Sequence, residues 1–394
     1  MVLRVSLVLI VLLAVLAGLA PVRFELAADA ALAAVIGQAG WMYLLIVFLT
    51  LAFLGYLAFG PFARLRIGGA DAEPQFSGPT WLAMLFAAGM GIGLVFWGAA
   101  EPVSHLVNPP EGLPPDTPQA ARAAMRYTFF HWGLHPWAVY ALMGLAIAWF
   151  QYNRSGRGLV SDLLQPLIGD RHLGWIGAVA NVVAVVATAI GVATTLGFGT
   201  MQISAGMARV FGLPAGLGMQ LAVIGVCFAT FGGAALWGHI HGGLDMARPL
   251  AEGYETVLFA MYDSLPFTQL LSGLTILLLV IFFVTSADSA VLVLGSMSSE
   301  EPGDPGLARK FAWGIAIALV AAAMLVAGGL DALQTLITVV ALPFALLMVG
   351  VMVGLQRVLR LEALRAEAQE RRARKAIEAW IAREDGAGQG APGP

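Results

Sequence analysis

Charge is what this sequence has least of. Asp, Glu, Lys and Arg make up 11% of 394 residues, where a soluble domain carries about 25% to keep its surface wetted. Cysteine is nearly absent: Cys227 stands alone, which excludes an internal disulfide and a cysteine-based zinc cluster. Basic residues do not exceed acidic ones, 21 against 24 for a net charge of −3, so nothing here points to a nucleic-acid partner. No clustering of acid, base and nucleophile marks an enzyme. What fills the chain is apolar: 59% hydrophobic residues and a mean hydropathy of +0.83. Apolar runs long enough to cross roughly 30 Å of hydrocarbon recur throughout, and lipid cannot satisfy free backbone groups, so each run must be helical. These features predict an all-α polytopic membrane protein.

The expected spans lie near 5–20, 41–60, 80–100, 127–150, 174–208, 266–296, 309–328 and 332–356, with a shorter apolar segment at 215–238. Arg4 before the first run and AGLA after it imitate a cleaved signal, but the run is long for one and further spans follow. Basic residues in short loops mark the cytoplasmic side: Arg64 and Arg66, then Arg154, Arg157 and Arg171, then Arg309 and Lys310. The loop from Glu101 to Thr117 has no basic residue, and it reads as external together with the stretch carrying Asp245, Glu252 and Glu255. Both termini then fall in the cytoplasm. Residues 1–356 form the membrane domain, and 357–394 a charged tail with Arg371, Arg372, Arg374 and Lys375 in one cluster. Such a tail is a solvated helix with a disordered tip; the basic cluster would also suit a sensor of anionic lipid.

The third run contains GMGIGLVFWGAAEP, residues 89–102. Gly89 and Gly93 are spaced for close helix packing. Gly91 stands about 200° around the helix from Gly89 and cannot serve the same face. A backbone that leaves the regular helix explains all three, because glycine unwinds without steric cost and irregular backbone at membrane depth lines a cavity. The fourth run opens FHWGLHPWAVY, residues 130–140. On a continuous helix Trp132, Tyr140 and Trp137 fall at about 0°, 80° and 140°, a face of electron-rich rings that would hold a cation lacking N–H groups. Interfacial tryptophans are the plainer reading. His131 and His135 are spaced for a metal, but they lie on the reverse face with no acidic neighbour in the sequence. His239 and His241 read as loop residues. In IFFVTSADSAVLVLG, residues 281–295, Thr285, Ser286, Asp288 and Ser289 sit inside an apolar span; Thr188, Thr194 and Thr195 do the same in VVATAIGVATTLGFG. Hydroxyl oxygens suit a hard cation, and an ionisable group at that depth is expected to face protein rather than lipid. Each hydroxyl can instead bond back to its own helix.

Taken in order, GMGIGLVFWGAAEP, FHWGLHPWAVYALMGLA, VATAIGVATTLGFGTMQ and LPFTQLLSGLTILLLVIFFVTSADSAVLVLGS resemble the motifs of the betaine/carnitine/choline transporter (BCCT) family. The resemblance implies a LeuT-like inverted-repeat transporter in the plasma (inner) membrane. Its expected solutes are quaternary ammonium compounds such as glycine betaine, choline or carnitine, taken up by sodium- or proton-coupled alternating access. It places Trp132, Trp137 and Tyr140 in a substrate box beside Gly89, Met90, Gly91 and Gly93. It also implies a sodium site from Ala87 and Met90 together with Phe282, Thr285 and Ser286. A second sodium site would use Thr188, but Val192 replaces its partner threonine. No other cofactor is implied, and a homotrimer is the assembly the family suggests.

The chain departs from the family in one place. FGLPAGLGMQLAVIGVCFATF resembles the start of the sixth span, and GGAALWG, which follows at once, resembles the end of the ninth. The seventh and eighth spans are missing, so the second repeat is incomplete and one wall of the substrate box is lost. Weak, millimolar solute binding is the expectation, and a transport-defective truncated member or an osmotic or lipid sensor are the alternatives. Because both ends of 215–238 should lie outside, that segment is expected to enter the membrane and return.

Overall fold

The computed structural model describes residues 1–69, 72–88, 91–211, 247–299 and 305–388, and among them it is built from helices without a β-strand. The segment 215–238, Gly89, Met90, His239, His241 and Asp245 lie outside the described residues. In chain order the helices are α1 (Val2–Leu19), α2 (Pro21–Phe59), α3 (Gly78–Ala88), α4 (Gly91–Val107), α5 (Pro118–Trp132), α6 (Leu134–Arg154), α7 (Val160–Ile168), α8 (Trp175–Phe211), α9 (Ala247–Glu252), α10 (Val257–Tyr262), α11 (Thr268–Met297), α12 (Leu307–Ala327) and α13 (Gly329–Gly388). Among the described residues, seven helices or helix pairs are long and apolar enough to cross a membrane: α1, α2, α5 with α6, α8, α11, α12 and α13. Of the eighth run, expected at 80–100, α3 covers the part up to Ala88 and α4 the part from Gly91; Gly89 and Met90, where the glycine spacing places a break, lie outside the described residues.

Helix α8 is the hub. It packs against α1, α4, α11, α12 and α13, and its small residues Ala184, Ala189 and Ala193 let Leu333, Trp313 and Ile317 of its neighbours into one apolar core. A second core joins α4, α10 and α11 around Phe259, Tyr262 and Leu279. A third joins α2, α6, α7 and α13 around Leu142, Leu163 and Leu355. The small amphipathic helix α7 is held in this last core by polar contacts. Asn181 of α8 accepts from the Ser161 backbone N–H and donates to its hydroxyl, both at 3.0 Å. Helix α13 approaches it through glycine: a Cβ on Gly354 would stand 2.6 Å from the Leu163 carbonyl oxygen, and one on Gly350 2.8 Å from a Leu164 methyl.

The basic loops gather at one end of the bundle. Asn153 accepts from the Gly68 N–H at 2.9 Å and donates to the Arg66 carbonyl at 3.1 Å. Arg154 pairs with Glu362 at 3.6 Å, and Arg357 donates to the Pro166 carbonyl at 3.1 Å. At the other end Arg209 pairs with Asp263, and Glu111 accepts from Arg126 and Tyr127, both at 2.7 Å. The Tyr127 hydrogen bond, with the Arg126 guanidinium beside it, holds the Glu111 carboxyl below the usual carboxylate range. Helix α13 runs unbroken past the expected limit of the membrane domain at 356, with Val358 and Leu359 still buried in the third core. Farther on it is exposed and carries i,i+4 pairs, Glu367 with Arg371 and Arg374 with Glu378, as a solvated helix should.

The glycine contact yields a test. Gly354→Ala should cost about 1–3 kcal/mol of stability, the range for overpacking. Gly37→Ala, in open space on α2, should change stability by no more than about 1 kcal/mol in the stabilising direction. Denaturant unfolding of both variants in detergent checks this.

Candidate functional site

The run GMGIGLVFWGAAEPVSH places Trp97, Glu101, Ser104 and His105 on α4 at spacings of three and four, so they share one side of it. That side meets the C-terminal turn of α5. The Glu101 side chain is only 9% exposed and its carboxylate collects three donors. Oε1 accepts from His105 Nε2 at 3.3 Å and from His131 Nδ1, while Oε2 accepts from Trp132 Nε1. An ionised carboxylate only accepts, so this network places the ring protons on His105 Nε2 and His131 Nδ1. A carboxylate removed from water is tolerable when it is saturated in this way.

Around this group lies a cavity of about 400 Å³ lined by Trp97, Glu101, Ser104, His105, His131, Trp132, Tyr254 and Gln334. Trp97 and Tyr254 meet with ring centroids 5.5 Å apart, and the Ser104 and Tyr254 hydroxyls approach to 3.5 Å. Three ring systems and one carboxylate therefore face a common space. A ring face attracts a cation, and desolvation raises that attraction to about 2 kcal/mol.

Of the residues expected from sequence, Trp132 lines this cavity, and Trp137 and Tyr140 do not. The reason is Gly133. Its φ of −82° and ψ of −135° end α5 and start α6, so an angular projection through a continuous helix does not hold from Trp132 to Tyr140. Trp137 and Tyr140 remain together, 5.8 Å between centroids, and Trp137 Nε1 donates to the Trp132 carbonyl at 3.1 Å. His131 does have an acidic partner, Glu101, which is thirty residues away in sequence; this corrects the expectation that it had none. His135 instead sits against Phe130 at 4.6 Å. Glu101, His105, Trp97, Tyr254 and Gln334 were not singled out from the sequence. The four-residue spacing of Glu101 and His105 was the legible signal for the first two.

The expected cation residues are more scattered. Ala87 lies in the last turn of α3, and Phe282, Thr285 and Ser286 lie on α11, against which α3 packs. Phe282 is buried, Ser286 partly so and Thr285 exposed. The threonine hydroxyls of these runs bond back to their own helices: Thr188 to Ala184, Thr194 to Ile190, Thr195 to Gly191 and Thr285 to Ile281, at 2.8–3.1 Å. Asp288 is exposed, contrary to the expectation that it faces protein. It shares a bare stripe of α11 with Leu277, Ile281, Val284 and Leu292, all exposed.

The donor set of Glu101 can be checked directly. Trp132→Phe keeps the ring and removes an N–H from a buried carboxylate, so it should lower stability by about 1.5–3 kcal/mol, as for hydrogen bonds to charged groups. Trp137→Phe removes a bond to a backbone carbonyl and should cost about 0.5–1.5 kcal/mol. Denaturant unfolding of the purified variants reads both; equal losses would contradict the assignment.

Comparison with known proteins identifies the family. The profile of the BCCT, betaine/carnitine/choline family transporter, matches residues 1–230 and 224–364. The chain is 33% identical to the glycine betaine transporter OpuD of Bacillus subtilis (strain 168), over 82% of this chain and 87% of the relative. It is 30% identical to the ectoine/hydroxyectoine transporter of Virgibacillus pantothenticus, over 92% and 97%, and 30% identical to the glycine betaine transporter of Acinetobacter baylyi, over 89% and 72%. The first of these alignments runs over 450 positions, more than this chain of 394 residues possesses. More than a hundred positions of that relative thus have no counterpart here. The two profile matches meet at 224–230, within a few residues of the point where VCFATF passes to GGAALWG. Despite that internal gap, the chain belongs to the BCCT, betaine/carnitine/choline, family and is a membrane transporter rather than an enzyme.

Proposed function

We propose that this protein carries a trimethylammonium solute, and that the cavity between α4, α5, Tyr254 and Gln334 is where the solute's head group is recognised. The observation that carries the reading is the meeting of Trp97, Trp132 and Tyr254 with the carboxylate of Glu101. A quaternary ammonium has no N–H to donate, so ring faces and a nearby negative charge are the groups that can hold it. Glycine betaine carries its own carboxylate, which Glu101 repels, whereas choline has a net positive charge. Choline is therefore the better fit. Coupling to sodium rests on Ala87, Met90, Phe282, Thr285 and Ser286, with Thr188 as a second, weaker candidate; a hydroxyl that donates to its own helix keeps its oxygen lone pairs for a cation. The inverted-repeat plan, the division at 356, the homotrimer and the cytoplasmic termini belong to the same proposal.

The internal gap favours a second reading: a family member that binds solute and does not transport it. Two measurements separate the readings. In calorimetry on the purified chain, choline should bind with a Kd on the order of 1 mM, about −4 kcal/mol. Trp97→Leu and Trp132→Leu should each weaken it by roughly two- to thirtyfold, the equivalent of about 0.5–2 kcal/mol. Glu101→Gln should remove the preference for choline over glycine betaine. Binding that survives all three changes would place the solute elsewhere. Sodium-dependent uptake of labelled choline by cells without their own carriers supports the transporter, and binding without uptake supports the second reading.

The proposed orientation is tested in a Cys227→Ser background, which leaves no native thiol. Ser104→Cys and Gln334→Cys should react with an impermeant maleimide added to intact cells. Asn153→Cys, among the basic loops, should react only after permeabilisation. Labelling of Asn153→Cys from outside would invert the arrangement.

A further inference from the structure

We propose that Glu101, His105 and His131 form a zinc(II) site at the cavity, through which the ion ties α4 to α5. The three side chains offer one carboxylate oxygen and two imidazole nitrogens, all within 4.8 Å of one another. Zinc takes such ligands at about 2.0–2.1 Å in a tetrahedron, which sets neighbouring donor atoms about 3.3 Å apart. Glu101 Oε1 and His105 Nε2 already stand at 3.3 Å. His131 Nδ1 lies closer to the same oxygen and has to retreat by less than the length of one bond, which its 45% exposed side chain permits.

The protons can be accounted for within the rings. In the free protein both histidines direct N–H groups at the carboxylate. On binding, each neutral imidazole shifts its proton to the other ring nitrogen, His105 to Nδ1 and His131 to Nε2, so the nitrogens nearest Glu101 present lone pairs to the ion. The carboxylate keeps its outer partner, since Trp132 Nε1 donates to Oε2 rather than to the ligating Oε1; a hydrogen bond of this kind fixes a ligand's orientation. Three protein ligands leave the fourth position open to the cavity, for water or for an incoming anion. The soft-metal alternatives prefer thiolate, whereas the three ligands described here are a carboxylate and two imidazoles.

Two consequences follow from the placement. The ion replaces the hydrogen-bonded contact between α4 and α5 by a coordinate one and so stiffens their junction. It also neutralises the Glu101 charge in the cavity, so zinc and a cationic solute exclude each other.

Calorimetric titration of the purified full chain with zinc chloride tests the site. One ion per chain should bind, with an affinity that falls by roughly tenfold or more in His105→Ala and in His131→Ala, while His135→Ala binds as the unaltered chain does. Because a variant can fail to fold, the unaltered chain is also titrated with cobalt(II), which should give the intense visible absorption of a tetrahedral site with nitrogen and oxygen ligands. No binding, a cobalt spectrum like that of the aqueous ion, or zinc affinity unchanged in both His105→Ala and His131→Ala would overturn the proposal. None of these readings involves transport, so they stand or fall apart from the solute assignment.

Discussion

A carboxylate among membrane helices has no water to solvate it, and the protein must bring it donors. Glu101 gets them from both sides of a helix junction: His105 one turn along α4, and His131 and Trp132 at the end of α5. This requirement fixes how α4 and α5 meet. His131 and Trp132 are the last two residues of α5, which ends at Gly133 directly after them. The cavity is a by-product of the same junction. Trp97 stands one turn before Glu101, and Tyr254 closes the space from the second half of the chain.

The hydroxyl-rich helices show the opposite solution to the same problem. Thr188, Thr194, Thr195 and Thr285 satisfy their hydroxyl protons within their own helices, so none of them forces a neighbour into place. Asp288 has neither arrangement. It lies on the bare stripe of α11 in a chain that lacks more than a hundred residues carried by its relative between the two matched halves.

Much of the fold was legible because lipid leaves a sequence few choices. Each apolar run within the described residues is helical, and two of the three basic loops that the charge pattern assigned to one side meet through Asn153, with α13 joined to them through Arg154 and Arg357. The internal gap was visible where VCFATF runs into GGAALWG. The site was less legible. Trp132 lines the cavity, but its companions were sought by helical projection, and one glycine with non-helical angles places Trp137 and Tyr140 away from it. Tyr254 and Gln334 reach the cavity from more than a hundred residues away, and no local spacing encodes such a meeting.

The central claim is that the rings of Trp97, Trp132 and Tyr254 hold the solute's ammonium group. Cryo-electron microscopy of the chain in lipid nanodiscs with saturating choline addresses it most directly. The account predicts the trimethylammonium group among those three residues, its nitrogen within about 6 Å of the ring centroids and on the open side of Glu101. A choline found instead against Trp137 and Tyr140, with the Glu101 cavity empty, would contradict it.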